Sequence, residues 1–291
     1  MKGEIVSFVT KDGLKLHGFL ARPGRKRGKT LIYLHGLEGT FYSSGLIKAL
    51  ADSLPKIGYD FLAIEQRGSY TVETRTRKKG RKYKGTITGG GFERFEECIY
   101  DIGGAIRLAG VLGSRRIILA GHSTGCQKAV YYQYKEKDRK VKGIVLLAPA
   151  DDYNMQKRDL GGRFGGAVSA AKRLYRNDKY SIMPRNYIRR PFGTHRFLSF
   201  SDLKFVESRI FNYDLPRLRE FGSIRQPVLA IFGSKEQFAA KPVKEYMEIL
   251  ERNSGAQGFS HSVIKGANHG FWKKEKETAR VVADWLAKLD L

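Results

Sequence analysis

Ile117-Ile118-Leu119-Ala120-Gly121-His122-Ser123-Thr124-Gly125-Cys126 is the stretch whose reading decides the fold. It opens as an apolar run of the kind a buried strand uses. A Gly-x-Ser-x-Gly pattern follows, then Gln127-Lys128-Ala129-Val130-Tyr131-Tyr132, which can continue as a helix. Strand, tight turn and helix in that order are what a nucleophile elbow needs. The turn strains the backbone of its central residue and pushes the Ser123 side chain into the open. Gly121 and Gly125 fit because a side chain at either place would collide with the neighbouring strand or helix. Ser123 also meets a helix N-terminus, where unpaired N–H groups favour negative charge. Alone, the pattern suits an ordinary strand-to-helix loop equally well, since turns use both Gly and Ser.

Upstream, residues 4–10 and 14–21 alternate apolar and polar around Lys11-Asp12-Gly13, which predicts a β-hairpin. Residues 22–29 form a basic Pro/Gly loop. A buried strand over 30–34 ends at His35-Gly36-Leu37-Glu38-Gly39. A helix is expected over 43–56, with Leu46, Leu50 and Leu54 on one face, and a strand over 59–65. Residues 66–91 read as a long loop, basic from Arg75 to Lys84, with Gly89-Gly90-Gly91 as its hinge. A helix over 92–112 leads to the strand over 116–120 that feeds the elbow.

Downstream, strands are expected over 141–147, 227–233 and 260–264. A helix over 241–252 and a final amphipathic helix carrying Val281, Val282, Trp285 and Leu286 complete the pattern. Strands alternating with helices predict an α/β fold whose mostly parallel sheet is doubly wound. Between the sixth and seventh strands the rhythm breaks. Residues 151–226 are basic and aromatic, with one helical piece near 168–175, and read as an inserted lid. The core would then be 1–150 and 227–291.

The 291 residues are 41% hydrophobic and 29% charged, which suits a folded globular chain. No apolar run approaches the roughly 20 residues of a membrane span, and no membrane partner is expected. The N-terminal residues show no secretory pattern. Two cysteines, Cys98 and Cys126, cannot make a disulfide framework and fit a reducing, cytoplasmic compartment. The formal net charge is +25, a strongly positive field. Nucleic-acid contact, attraction of an anionic substrate and a basic solubilising surface all compete to explain it. The first lacks a recognisable module, so nucleic acid is disfavoured as the partner. No cluster shows metal-ligand spacing and no phosphate-binding loop is present, so neither metal nor cofactor is expected.

Serine catalysis needs a base to take the proton and an acid to orient that base. In a doubly wound sheet such groups converge at the carboxyl ends of strands. Ser123, Glu236 and His269 each follow a strand, in the chain order nucleophile, acid, base. Asp151 or Asp152, after the 141–147 strand, is a rival acid, and either could instead cap a helix. Leu37 lies where a second oxyanion donor belongs, so the backbone N–H groups of Leu37 and Thr124 would face a developing oxyanion. His122 and His35 read as packing and loop-shaping residues, while His17 and His261 belong to strands.

Gly121-His122-Ser123-Thr124-Gly125-Cys126-Gln127 resembles the elbow of the DUF1749 group of α/β-hydrolases, which includes fungal siderophore esterases. The similarity continues in Gln66-Arg67-Gly68-Ser69-Tyr70, Phe197-Leu198-Ser199 and Phe211-Asn212-Tyr213-Asp214-Leu215, and covers most of residues 30–290. It implies an α/β-hydrolase fold and a serine esterase, acting on carboxylic esters through an acyl-enzyme. The chain departs from the group in having Glu236 where Asp is usual, and in His35. Other acyl hydrolysis or acyl transfer would use the same machinery. The Phe, Tyr and Arg content of the lid suggests an aromatic or anionic acyl group on a small-molecule ester.

Overall fold

The computed structural model describes residues 2–24 and 28–289; Arg25, Lys26 and Arg27 of the basic Pro/Gly loop lie outside the described residues. The chain opens with β1 (Glu4–Val9), β2 (Lys15–Ala21) and β3 (Lys29–Leu34), then α1 (Gly45–Ser53) and β4 (Asp60–Ile64). A separate pair, β5 (Glu73–Lys79) and β6 (Lys82–Thr88), precedes α2 (Cys98–Val111). Then come β7 (Arg116–His122), α3 (Thr124–Glu136) and β8 (Val141–Leu147). Five helices follow: α4 (Asp152–Leu160), α5 (Phe164–Asn177), α6 (Thr194–Ser201), α7 (Glu207–Ile210) and α8 (Arg219–Gly222). The chain closes with β9 (Val228–Lys235), α9 (Val243–Asn253), β10 (Phe259–Asn268) and α10 (Glu275–Lys288).

Eight strands form one sheet in the order β1-β2-β4-β3-β7-β8-β9-β10. β2 runs antiparallel to both β1 and β4, and every later pairing is parallel. β3, β7 and β8 are buried along nearly their whole length, as strands covered on both faces must be. Alternation sorts their side chains. Ile32 and Leu34 join Ile102 of α2 and Val130 of α3 in one core. Leu31 and Tyr33 join Leu50 of α1 and Val282 of α10 in the other. This two-layer cover confirms the doubly wound sheet that the strand–helix alternation implies.

The region 66–91 is not an open loop. β5 and β6 pair antiparallel through the two-residue turn Gly80-Arg81, with Gly80 at φ +61°. Hydrophobic periodicity cannot find this ribbon, because ion pairs rather than apolar side chains tie it down. Arg75 donates to Glu65 (2.6 Å), and Arg77 lies 3.1 Å from Asp12. Gly89-Gly90-Gly91 is not a free hinge either. A Cβ at Gly89 would come within 2.6 Å of Thr71 O, and one at Gly91 within 2.8 Å of Pro191 O. The three glycines permit close backbone approach.

Helices α4 to α6 have an apolar cluster of their own, with Leu160, Ala167, Ala171, Phe197 and Phe200, whereas α7 and α8 bury Ile210 and Phe221 in the core that α2 and α3 share. A buried charge network ties them to the sheet. Arg196 of α6 donates to Glu93 (3.1 Å) and pairs with Glu207, while Lys128 of α3 donates to Glu93 (2.8 Å). All four side chains are at most 1% exposed. Ser199 donates to Glu207 (2.5 Å), and Arg196 Nε donates to Gly90 O (3.0 Å). Buried charges are tolerable only when paired and fully hydrogen-bonded in this way.

Candidate active site

β7 delivers Ser123 at φ +53°, ψ −126°, a backbone region that non-glycine residues rarely occupy. Both glycines of the pattern are required by close approach. A Cβ at Gly121 would lie 2.3 Å from Gly125 C, and one at Gly125 would lie 2.2 Å from Leu34 O. The Ser123 N–H donates to Leu147 O of β8 (2.9 Å), which pins the turn. Thr124 begins α3, so its N–H has no acceptor within the helix.

Glu236 follows β9 and His269 follows β10. These strands are parallel neighbours, with Asn268 beside Lys235 in the register. Both Glu236 carboxylate oxygens lie 2.9 Å from His269 Nδ1. Oε1 also accepts the Phe238 N–H (3.1 Å), which orients the carboxylate. Phe238 meets the His269 ring edge to face at 4.8 Å.

Gln237, which the sequence did not single out, and His122, which read as a packing residue, hold the backbone of His269. Gln237 accepts its N–H (3.0 Å), and His122 Nε2 donates to its carbonyl (2.9 Å). Donation to a carbonyl puts the His122 proton on Nε2. Burial, with His269 nearby, pushes the His122 pKa down to about 3, so its ring is neutral at physiological pH. His122 therefore anchors His269 rather than only packing against it.

The loop after β3 is built the same way. His35 Nδ1 donates to Gly36 O (2.7 Å), and Nε2 accepts from the Ser69 hydroxyl (2.9 Å). Ser69 Oγ also accepts the Gln66 N–H, and the Gln66 amide donates to His35 O (3.1 Å). Burial lowers the His35 pKa to about 4, which keeps the ring neutral. Gln66 and Ser69 thus fix the loop that carries Leu37. A Cβ at Gly36 would sit 2.9 Å from Ser123 Cβ, so this loop runs against the elbow itself.

Ser123, Thr124, His269 and Leu37 line one cavity of about 670 Å³. Met155 and Gln156 of α4, Arg190, Phe238 and Trp272 contribute to its walls. Arg190 is the one Lys or Arg among these described residues, and it lies 3.1 Å from Glu38. The basic character of residues 151–226 therefore does not make the cavity basic. Asp152 and Asp159 also line it.

The two rival acids have other partners. Asp151 caps α4, accepting the Asn154 N–H (3.0 Å) and the Tyr213 N–H (3.1 Å). Asp152 accepts from the Gln127 amide (2.5 Å), and burial lifts its carboxyl well above the usual range. Among the described residues, Glu236 is the only carboxylate hydrogen-bonded to His269. Burial likewise raises the thiols of Cys98 and Cys126. Among the described residues no group of three His, Cys, Asp or Glu could hold a metal ion, and no helix is long and apolar enough to cross a membrane.

An elbow serine at the end of the fifth strand of this sheet, with a histidine and a carboxylate paired across the last two strands, defines the α/β-hydrolase class of fold. Solved structures agree. Est1E from Butyrivibrio proteoclasticus superposes with a TM-score of 0.66 over 98% of both chains at 18% identity. It is also known with ferulic acid bound. The Pyrococcus furiosus esterase Pf2001 gives 0.64 at 20% identity, over 98% of this chain and 90% of that one. Carboxylesterase CesB from Bacillus subtilis gives 0.55 at 18% identity, over 98% and 90%. More narrowly, the chain belongs to the DUF1749 family, described as proteins of unknown function, whose profile matches residues 11–288. No curated protein matches it.

Proposed function

We propose that this chain is a serine hydrolase of carboxylic esters. The observation that carries the reading is the pairing of both Glu236 oxygens, at 2.9 Å, with Nδ1 of His269, whose ring lines the cavity that also holds the strained Ser123. Ser123 Oγ attacks the ester carbonyl while His269 Nε2 takes its proton. The N–H groups of Leu37 and Thr124 hold the oxyanion, and Glu236 balances the imidazolium. His269 returns the proton to the departing alkoxide, which leaves as the alcohol. Water then repeats the sequence on the acyl-enzyme, releasing the acid and restoring Ser123.

Helices α4 to α6 act as the lid, since α4 and Arg190, between α5 and α6, wall the cavity. Phe238, Trp272 and Met155 favour an aromatic or extended apolar group. Est1E, which shares the fold, binds an aromatic acid. With Arg190 already beside Glu38 and Asp159 also in the wall, a neutral ester fits better than an anionic one. The test is labelling with a fluorophosphonate probe and mapping of the adduct, alongside turnover of p-nitrophenyl esters by wild type and Ser123→Ala. A label on Ser123, with turnover lost in the variant, is expected. Equal turnover by both proteins refutes the assignment.

A further inference from the structure

The β5–β6 ribbon has no part in the chemistry above, yet it is a built feature. The Lys78 N–H donates to Gly13 O (2.9 Å) in the β1–β2 turn. Gly13 has φ +91°, and a Cβ there would meet Lys78 O at 2.0 Å. Together with the Arg75 and Arg77 ion pairs, this contact seats one face of the ribbon against the sheet. The other face points away. Tyr83 stands opposite Lys78, and Ile87 opposite Thr74, in the ladder. Tyr83 is 67% exposed and Ile87 62% exposed. Lys78 Nζ lies over the Tyr83 ring at 5.8 Å.

The tip is all cationic. Residues 78–84 contain Lys78, Lys79, Arg81, Lys82 and Lys84 and no acid. None of the five has an ion pair among the described residues. Just before the ribbon, exposed Tyr70 joins hydroxyls with exposed Tyr42 at 2.7 Å.

We propose that this ribbon is a peripheral docking surface for an anionic lipid bilayer. An aliphatic side chain such as Ile87 offers nothing to a phosphodiester backbone but gains by entering an acyl layer. Tyr and Trp prefer the headgroup level, where the ring is half wet. Unpaired lysines supply the attraction to acidic headgroups, each strengthening adsorption about fivefold. A nucleic-acid platform of this size would instead present several stacking rings along the basic track, and the ribbon's outer face has one. Such adsorption involves no spanning segment, and it does not depend on the esterase reading.

The test uses the full chain and sedimentation with vesicles of 70% phosphatidylcholine and 30% phosphatidylserine, against vesicles of phosphatidylcholine alone. Binding to the anionic vesicles, weakening with salt, is expected. Lys79→Glu/Arg81→Glu/Lys82→Glu should weaken it by about 100-fold or more. Tyr83→Ser/Ile87→Ser should weaken it about tenfold without changing the salt slope. A charge-matched control, Lys135→Glu/Arg139→Glu/Lys140→Glu, alters exposed residues at the opposite, amino end of β8. It should bind like wild type to within about threefold. Absence of binding to anionic vesicles, or equal binding to both vesicle types, overturns the proposal. So does an equal loss in the control, which would mean that net charge alone is responsible. Tip-dependent binding of a 20-base-pair duplex in place of vesicles would overturn it in favour of nucleic acid.

Discussion

Glu236→Gln isolates one contribution, the charge that balances His269 when it accepts the serine proton. The substitution keeps the shape and leaves an oxygen that can still accept from Phe238 N–H, now 3.1 Å from Oε1. It removes the negative charge facing Nδ1. With about 4 Å between charge centres and an effective dielectric near 20, that charge is worth about 4 kcal/mol to the imidazolium. A histidine acting as base takes its proton only as the serine attacks, so the carboxylate charge counts mainly in the transition state. Most of the loss therefore falls on the transition state, and kcat should drop about 1,000-fold. KM should change by less than about threefold, because a group behind the histidine makes no ground-state contact with substrate. The assay is steady-state hydrolysis of a p-nitrophenyl ester, with circular dichroism to show an intact fold. Asp151→Asn serves as the comparison. It keeps an oxygen to cap α4 but turns an amide N–H toward the Tyr213 N–H that Oδ2 now accepts, costing about 1 kcal/mol of stability, and should leave kcat within about threefold. A Glu236→Gln enzyme within tenfold of wild type, or an Asp151→Asn enzyme that loses the activity instead, would refute the reasoning.

Further outcomes follow from the same geometry. Gly36→Ala places a Cβ 2.9 Å from Ser123 Cβ; displacement of the elbow should cut kcat about 100-fold while thermal unfolding shows a folded protein. His35 is buried with its pKa lowered to about 4 from 6.5, so the unfolded chain takes up a proton first as pH falls. Stability is fully present above pH 6.5 and is lost as pH falls towards 4, by about 3 kcal/mol at 1.36 kcal/mol per unit. His35→Asn should therefore lose less stability than wild type over that range in urea titrations, and parallel curves would exclude the effect. Lys128→Met strips one of two cations from buried Glu93 and should cost about 3–5 kcal/mol in chemical unfolding. Glu93→Leu/Lys128→Met should cost less than the sum of its parts. Finally, esters with a neutral aromatic acyl group should exceed their carboxylate-bearing counterparts in kcat/KM by about tenfold or more; the reverse order would show that Arg190 is free for substrate.

Elements that bury apolar surface were legible, because burial writes a period into the residues. The strands β3, β7 and β8 read as apolar runs, and α9 and α10 as amphipathic helices. The elbow was legible because close approach leaves only glycine at positions 121 and 125. The ribbon was not, since its ion pairs Arg75–Glu65 and Arg77–Asp12 are polar and follow no period along the chain. The helices of 151–226 were only partly visible: α5 showed as one piece. Several of the others are short, and their shared core with Arg196 and Glu207 exists only once they pack.

What the residues alone determined is the strand–helix alternation and the placing of Ser123, Glu236 and His269 at strand ends in a set order. Local chain stiffness and the burial period suffice for that. Only the tertiary structure decided which carboxylate meets His269, because Glu236 and Asp151 both follow strands. Side-by-side register of β9 and β10 brings Glu236 to Nδ1, while Asp151 turns away to cap α4. It also decided that Gln66, Ser69, His122 and Gln237 hold the site, through hydrogen bonds between segments up to 147 positions apart. Such bonds leave no periodic trace in sequence, since each depends on a distance that exists only after the sheet has formed.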